Sequence, residues 1–217
     1  DEMLAAGHTS FFQRDGATVI GAWDPVRKTY APVERPALRL ALRELAGTPR
    51  ELKRNASASV LDLGDGVLCL ELHSKGNTLD IFTDDMARAA LDMLGQDRYR
   101  ALVVANQGKD YCLGANIGLF LQAIASGGIP AIDKAARQLQ DLLMAFRFAP
   151  KPVVTAPFQR VLGGGAELSM SSARMVAAME TYMGLVEVGV GIIPAGGGCK
   201  ELIRRNVSPH VADGSDP

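Results

Sequence analysis

From about residue 57 onwards, the hydrophobic and polar positions alternate between strand-like and helix-like patterns. Val60 to Leu63 and Val67 to Leu72 flank a Gly-Asp-Gly turn and predict a β-hairpin. Residues 101–105 form a continuous apolar run, which is typical of a strand buried on both faces. From Ile132 to Phe146 the apolar residues recur at helical spacing and predict an amphipathic helix. This succession of strands and helices predicts an α/β fold.

The same patterns predict the remaining elements. One helix is expected to begin at an N-cap, Asn77 or Thr78, and to end at about Leu94. Three more helices are expected over residues 113–124, from Ala166 to about Ser172 and over residues 200–205. Strands are expected over residues 153–156 and 174–178. Residues 1–55 differ, because they predict only a short hairpin around Gly16 and one short helix after Pro36. We therefore expect a linker-like appendage over residues 1–55 and a single domain over residues 56–217.

Composition and charge exclude several classes of protein. The 23 basic and 24 acidic residues leave a net charge of -1, which provides no electrostatic surface for nucleic acid or an anionic membrane. The apolar runs are too short to span a bilayer, and no signal peptide is expected, because the first residues lack a basic segment followed by an apolar one. The three cysteines form no CxxC pair, which argues against a disulfide framework or a metal site. A reducing, cytoplasmic location is expected.

Nine of the 23 glycines lie between Gly163 and Gly198. They either form tight turns between strands and helices or surround a ligand. Gly189 and Gly191 begin a dinucleotide fingerprint, but the Ile-Ile-Pro that follows provides no third glycine. The phosphate-binding loop, the HExxH zinc motif and the GxSxG motif are also missing from the sequence.

Two glutamates lie beside these glycine turns. Glu167 follows the Gly163-Gly164-Gly165 run in the first turn of a predicted helix, and Glu187 has apolar neighbours. Apolar surroundings raise the pKa of a carboxyl group, so the pair is a candidate for acid–base catalysis. From spacing alone, a favourable interaction with the helix dipole is the simpler explanation of Glu167. The glycine run offers free backbone N–H groups for an oxyanion, and the segment 113–116 offers a second set.

Three segments together resemble motifs of the crotonase (enoyl-CoA hydratase/isomerase) family. Tyr111 to Asn116 resembles F-x-x-G-A-D. Lys151 to Leu168 resembles K-P-V-V-A-A-V-x-G-x-A-x-G-G-G-x-E-L, and Gly184 to Gly198 resembles G-x-P-E-x-x-x-G-x-x-P-x-x-G-G. The resemblance covers about residues 57–205. It implies a crotonase-like spiral of repeated ββα units, assembled as a trimer or a dimer of trimers.

The resemblance also implies a coenzyme A thioester substrate and assigns roles to residues. Ala115 and Gly164 match the two positions whose N–H groups form the oxyanion hole. Glu167 and Glu187 match the two glutamates of the hydratases, which activate water and exchange a proton with the α-carbon. Coenzyme A belongs to the substrate, and hydration needs no metal or redox cofactor. Further substrate contacts are expected from Lys75, Leu113, Gly114, Asn116 and Gly163.

The chain departs from the family pattern at four positions, without loss of an oxyanion donor or a glutamate: Asn116, Gln159, Ala173 and Val186. The segment before residue 57 resembles bacterial bifunctional proteins in which a 3-hydroxyacyl-CoA dehydrogenase precedes the hydratase. NAD is expected only if such a dehydrogenase part is attached. The C-terminal helices that usually complete a crotonase domain are expected to be missing, because the chain stops at Pro217.

These features lead to the hypothesis of an enoyl-CoA hydratase of fatty acid β-oxidation. An isomerase of the same fold is the nearest alternative, although it generally relies on a single glutamate. A catalytically silent structural module is the alternative from another class. His73 is interpreted as structural rather than as a catalytic base, and Lys75 as either a coenzyme A contact or a solvated surface residue.

Overall fold

The computed structural model describes residues 2–16, 18–33 and 40–208. The chain divides into two compact units, Asp1–Thr48 and Pro49–Pro217. The boundary therefore lies between Thr48 and Pro49, earlier than the position after residue 55 expected from composition.

The first unit contains a three-stranded antiparallel sheet. A short helix α1 (Glu2–Ala5) precedes strands β1 (Phe12–Asp15), β2 (Thr18–Asp24) and β3 (Thr29–Pro32), which are arranged in that order. The hairpin expected around Gly16 is present, and β3 extends it. Of the helix expected after Pro36, the described part contains a 3₁₀ turn over Leu42–Glu44. The rest of that prediction, residues 36–39, lies outside the described residues.

The second unit is built on a six-stranded sheet. Its strands and those of a smaller two-stranded sheet are β4 (Glu51–Arg54), β5 (Ala58–Gly64), β6 (Val67–Leu72), β7 (Ala101–Ala105), β8 (Val153–Thr155), β9 (Gln159–Leu162), β10 (Arg174–Met175) and β11 (Thr181–Gly184). The large sheet has the order β10-β8-β7-β6-β5-β4, and β9 pairs with β11. Strands β4, β5 and β6 pair antiparallel, and the pairs from β6 to β10 are parallel. Because β4 pairs with β5, residues 51–54 belong to this unit rather than to the appendage.

The helices of the second unit are α2 (Ile81–Leu94), α3 (Ile117–Arg147), α4 (Gly164–Met170) and α5 (Gly198–Asn206). The N-cap of α2 is Asp80, not Asn77 or Thr78, and its side chain accepts the N–H of Thr83 at 2.8 Å. The two helices expected over 113–124 and 132–146 form the single element α3, which is kinked at Gly128. That element begins at Ile117 because the Asn116 side chain caps it, accepting the N–H of Leu119.

The core of the second unit lies between the large sheet and helices α2, α3 and α4. Its largest fully buried side chains include Tyr99, Tyr111 and Phe146. The run expected to be buried on both faces, β7, instead alternates buried and half-buried residues. Among the described residues, no helix is long and apolar enough to cross a membrane.

Candidate active site

Two chain segments that follow strands run side by side in the second unit. Cys112 donates its N–H to the carbonyl of Arg160 at 3.2 Å, and Leu162 donates to the carbonyl of Cys112 at 2.9 Å. This pairing continues towards Ala115 on one segment and Gly164 on the other. A Cβ atom placed on Gly164 would lie 3.6 Å from the backbone nitrogen of Ala115. The two expected oxyanion donors are therefore neighbours in space, although 49 positions separate them in the sequence.

Leu79 fixes the peptide of Ala115. The N–H of Leu79 bonds to the carbonyl of Gly114 at 2.8 Å, and its carbonyl accepts the N–H of Asn116 at 3.0 Å. The N–H of Ala115 lies between these two bonds and has no acceptor among the described residues, and neither has the N–H of Gly164 at the start of α4. Free N–H groups held by rigid neighbours are the elements from which an oxyanion hole is built.

Two glycines of the 163–165 run are needed, each for a different reason. Gly163 has φ of 51°, and a Cβ there would lie 2.9 Å from Oε1 of Glu187. A Cβ on Gly165 would approach both the Cβ and the carbonyl oxygen of Cys112 to 2.7 Å. Gly164 lies between them, against the side chain of Leu79. The run therefore allows α4 to begin directly against the segment that contains Ala115.

Glu167 lies in the first turn of α4 and is 2% exposed. Its Oε1 accepts the N–H of Gly198, the first residue of α5, at 2.8 Å. Burial raises the pKa of the Glu167 carboxyl, the Gly198 N–H opposes that effect, and the charge of Glu187 raises the pKa further. Glu167 is therefore more than a partner for the helix dipole, since its carboxylate is inside the protein.

Glu187 begins a 3₁₀ turn over Glu187–Val190 and is 9% exposed. Its Oε1 faces the backbone of Gly163, next to the expected oxyanion donor Gly164. Its Oε2 is buried and has no hydrogen-bond partner among the described residues. A buried carboxylate oxygen without a partner is costly unless a ligand or water supplies one. The second glutamate is therefore close to the first and retains an unused acceptor.

The other residues expected to contact substrate lie around the two N–H groups or in the turn after β6. Gly163 and Gly114 shape the backbone around the two donors, and Asn116 caps α3. Leu113 packs against Gly76, where a Cβ would lie 3.1 Å from the Leu113 side chain. Lys75 is exposed, in the 3₁₀ turn Lys75–Asn77 that follows β6.

Three residues of this site were not found from the sequence. Gly198 donates to Glu167, and a Cβ on Gly196 would lie 2.5 Å from Oε2 of the same carboxylate. Leu79 orients Ala115 through backbone bonds alone. The cluster of glycines around residue 197 was a sequence signal for Gly196 and Gly198. However, nothing in the local sequence indicates which carboxylate these glycines approach.

A cavity of about 270 Å³ lies beside Ala115, between α2 and α3. Its lining is mainly apolar and includes Leu79, Leu139, Leu142 and Phe146, with Asp80, Asp84 and Asp85 among its polar residues. Within the described ranges, no group of histidine, cysteine and acidic side chains is arranged to hold a metal ion.

The family model for enoyl-CoA hydratase/isomerase matches residues 63–214. The chain belongs to this family. Among curated relatives, the probable 3-hydroxyacyl-CoA dehydrogenase of Bacillus subtilis (strain 168) is 39% identical over 216 residues, covering 100% of this chain and 26% of the relative. The probable enoyl-CoA hydratase of the same strain is 30% identical over 105 residues, which are 48% of this chain and 40% of that protein.

Solved structures of family members have the same fold. An enoyl-CoA hydratase from Bacillus anthracis superposes with a TM-score of 0.61 at 25% identity, covering 68% of this chain and 57% of the other. One from Polaromonas sp. JS666 gives a TM-score of 0.65 at 23% identity, covering 72% and 61%. The expected α/β crotonase-like fold is confirmed. The chain spans about a quarter of the length of its Bacillus subtilis dehydrogenase relative and about three fifths of these solved chains.

Proposed function

We propose that the second unit is a 2-enoyl-CoA hydratase, which adds water across the α,β double bond to give a 3-hydroxyacyl-CoA. The observation that carries this proposal is the grouping of two buried carboxylates, Glu167 and Glu187, beside two backbone N–H groups that have no acceptor among the described residues. A hydratase needs both parts, because it must polarise a thioester and also manage two proton transfers.

In the proposed reaction, the thioester oxygen accepts hydrogen bonds from the N–H groups of Ala115 and Gly164. The negative charge that develops on this oxygen is stabilised there, and one such donor contributes about 2.7–4 kcal/mol to the transition state. Glu167, as the carboxylate, accepts a proton from water as the water oxygen bonds to the β-carbon, and Glu187, in its protonated form, delivers a proton to the α-carbon. Transfer of a proton from Glu167 to Glu187 through solvent then restores both groups. The raised pKa of Glu167 makes its carboxylate a stronger base for the proton transfer from water.

The surroundings of the donors support an acyl-CoA substrate. The cavity beside Ala115 has an apolar lining suited to a hydrocarbon chain. Lys75 is exposed in a turn that packs on Leu113, two residues before Ala115. We assign the acyl chain to the cavity and a phosphate of coenzyme A to Lys75.

The names of the relatives support a place in fatty acid oxidation. The alpha subunit of a fatty acid oxidation complex from Shewanella baltica is 28% identical over 147 residues, which are 64% of this chain and 20% of that protein. We propose that this chain is the hydratase part of a bifunctional protein with a 3-hydroxyacyl-CoA dehydrogenase, where NAD would serve the dehydrogenase alone. The intact protein is proposed to form a trimer or a dimer of trimers.

Substitution of the second glutamate tests the proposal. Glu187→Gln keeps the shape of the side chain but removes its ability to exchange a proton, so hydration of a short 2-enoyl-CoA should slow by about 10²–10⁴-fold. Glu167→Gln should slow hydration by a factor of the same order. Binding of a saturated acyl-CoA, measured by calorimetry, should change little in either variant. Turnover is followed by loss of absorbance of the conjugated double bond.

Glu180→Gln provides the matched control, because Glu180 is an exposed carboxylate in the turn before β11. It should retain full turnover. Near-normal turnover in Glu187→Gln would contradict the assignment. Conversion of a 3-enoyl-CoA without hydration would instead identify an isomerase, and the lack of any reaction with either substrate would identify a silent module.

A further inference from the structure

The hydrogen bond from Gly198 to Glu167 joins two helices that are distant in sequence. Gly198 is the first residue of α5, and its N–H is one of the orphan donors of that helix. The distance of 2.8 Å to Oε1 of Glu167 makes this a charge-assisted bond when the carboxylate is ionised. The first turn of α5 therefore orients a carboxylate on α4.

Glu201 lies in the same first turn of α5, three residues after Gly198. Its side chain is only 3% exposed, and its Oε2 lies 2.5 Å from Nη2 of Arg147, the last residue of α3. The side chain of Arg147 is itself only 19% exposed. Removing one partner of a buried ion pair leaves the other charge uncompensated, so this pair strongly determines where α5 can lie.

The same arginine also contacts the end of α4. Nη2 of Arg147 donates to the carbonyl of Met170, the last residue of α4, at 3.2 Å, and Nη2 of Arg205 on α5 donates to the same carbonyl at 2.7 Å. Helix α5 is thus attached to the beginning of α4 through Gly198 and Glu167, and to its end through Glu201, Arg147 and Met170. Both attachments are made by the same helix, α5.

We propose that Glu201, paired with Arg147, is a positioning residue for Glu167. It holds the first turn of α5 in the orientation that keeps the Gly198 N–H on the carboxylate. The kinetic part of this proposal rests on the proposed hydratase function. Neither Glu201 nor Arg147 is expected to touch the substrate.

The charged groups around the two carboxylates differ. Glu187, from the 3₁₀ turn that precedes α5, acts on Glu167 through its charge. Glu201 faces Arg147 from α3 and Lys200, Arg204 and Arg205 from its own helix. Burial would raise the pKa of Glu201, but hydrogen bonds from Arg204 and Arg147 outweigh it and lower that pKa. Glu201 therefore stays ionised across the range in which Glu167 titrates.

The test is an NMR titration of the Glu167 carboxyl carbon in the full chain without substrate. In the wild-type protein the amide proton of Gly198 should shift with the same midpoint as that carbon, and Glu167→Gln should abolish this titration of the amide. Glu201→Gln and Arg147→Gln should each raise the pKa of Glu167, because the opposing N–H is weakened. The double variant should shift it no further than either single variant.

Arg137→Gln is the matched control, since Arg137 forms an exposed ion pair with Asp133 on the same helix as Arg147. It should leave the Glu167 titration unchanged. If Glu201→Gln does not fold, Arg204→Gln removes a more exposed donor, 3.1 Å from the same oxygen of Glu201, and should produce a smaller shift in the same direction. An unchanged Glu167 titration in the folded variants would overturn the proposal, as would a Gly198 amide that does not follow Glu167 in the wild type.

Kinetics then separate positioning from a purely structural role. Glu201→Gln should lower kcat of hydration by about ten- to a hundredfold and leave KM nearly unchanged. The acidic limb of the pH profile of kcat should move to higher pH. A loss of kcat with an unmoved limb would contradict the positioning role. Because the titration needs no substrate, an inactive wild type would overturn the proposed function and leave this test intact.

Discussion

The carboxyl group of Glu167 is held where its charged form is disfavoured. Burial raises its pKa, and the hydrogen bond from Gly198 only partly offsets this effect. The folded protein therefore binds this proton more tightly than the unfolded chain does. The stability that comes from the protonated carboxyl is fully present below the unfolded pKa and is lost as the pH rises through the folded pKa.

Glu167→Gln should consequently raise the thermal stability at pH 7–8, because the neutral amide can still accept the Gly198 N–H. Each kcal/mol gained corresponds to about 2–4 °C in Tm for a chain of this size. The difference should disappear in acid, below the ordinary pKa of glutamate. Thermal denaturation of the two proteins over a range of pH measures this, with Glu180→Gln as the exposed control. A variant that is less stable than the wild type at pH 8 would refute the expectation.

At the residue scale, local motifs predicted two glutamates and two backbone N–H donors, and the structure brings these residues together, while their roles in catalysis stay predictions. The predicted N-cap of α2 was wrong. One carboxylate oxygen of Asp80 caps the helix, and the other accepts a hydrogen bond from the Ser57 hydroxyl at 2.6 Å. Ser57 lies in the bend directly before β5, so the choice among Asn77, Thr78 and Asp80 depends on a contact outside the local sequence.

At the scale of elements, the site depends on how closely the loop before α5 approaches two other helices. A Cβ on Gly196 would lie 2.5 Å from Oε2 of Glu167 on α4 and 2.9 Å from Cδ1 of Leu143 on α3. The φ of Gly196 lies outside the left-handed region. Space, and not backbone freedom, therefore requires glycine at this position.

Gly196→Ala should destabilise the protein by about 1–3 kcal/mol, the usual range for overpacking, and should reduce the proposed hydratase activity by displacing the Glu167 carboxylate. Chemical denaturation and the enoyl-CoA assay measure the two effects. Gly189→Ala is the matched control, because an added Cβ there meets no atom within 4 Å. It should change stability by less than about 0.5 kcal/mol. Equal effects of the two substitutions would contradict the packing argument.

Elements with a strong local pattern of apolar residues were predicted well, and elements with a weak pattern were missed. Strand β7 has the predicted bounds, and the hairpin of β5 and β6 lies where its turn indicates. Strands β9 and β11 were not predicted. They form a separate two-stranded sheet, in which β9 also bridges to Cys112, and neither has the regular apolar pattern of a core strand.

At the scale of the whole molecule, the chain consists of two units with a boundary between Thr48 and Pro49. The buried cluster that forms the main core includes residues from Ala58 to Leu168, and the half-buried side chains packed against it begin at Leu52. This core lies entirely within the second unit. Such a core is of a size that can fold without the preceding segment.

A fragment comprising residues 49–217 should therefore unfold cooperatively and retain the hydration rate of the full chain. Far-ultraviolet circular dichroism during thermal denaturation and the enoyl-CoA assay provide the two measurements. A matched fragment beginning at residue 56 would remove β4, exposing the edge of β5, and should be less stable or aggregate. Failure of the longer fragment to fold would show that the second unit depends on the first.

Local motifs and periodic patterns were enough to predict the α/β class and the family, and to indicate two glutamates and two backbone N–H groups as candidates for the site. The packing of the helices was needed to show that the Gly198 N–H bonds to Glu167, that Gly196 leaves room for that carboxylate, and that Glu201 and Arg147 attach α5 to α3. These contacts join residues from 29 to 54 positions apart. These contacts depend on how the helices pack. Residues that pack together in three dimensions have no fixed separation in the sequence, so a local pattern does not reveal them.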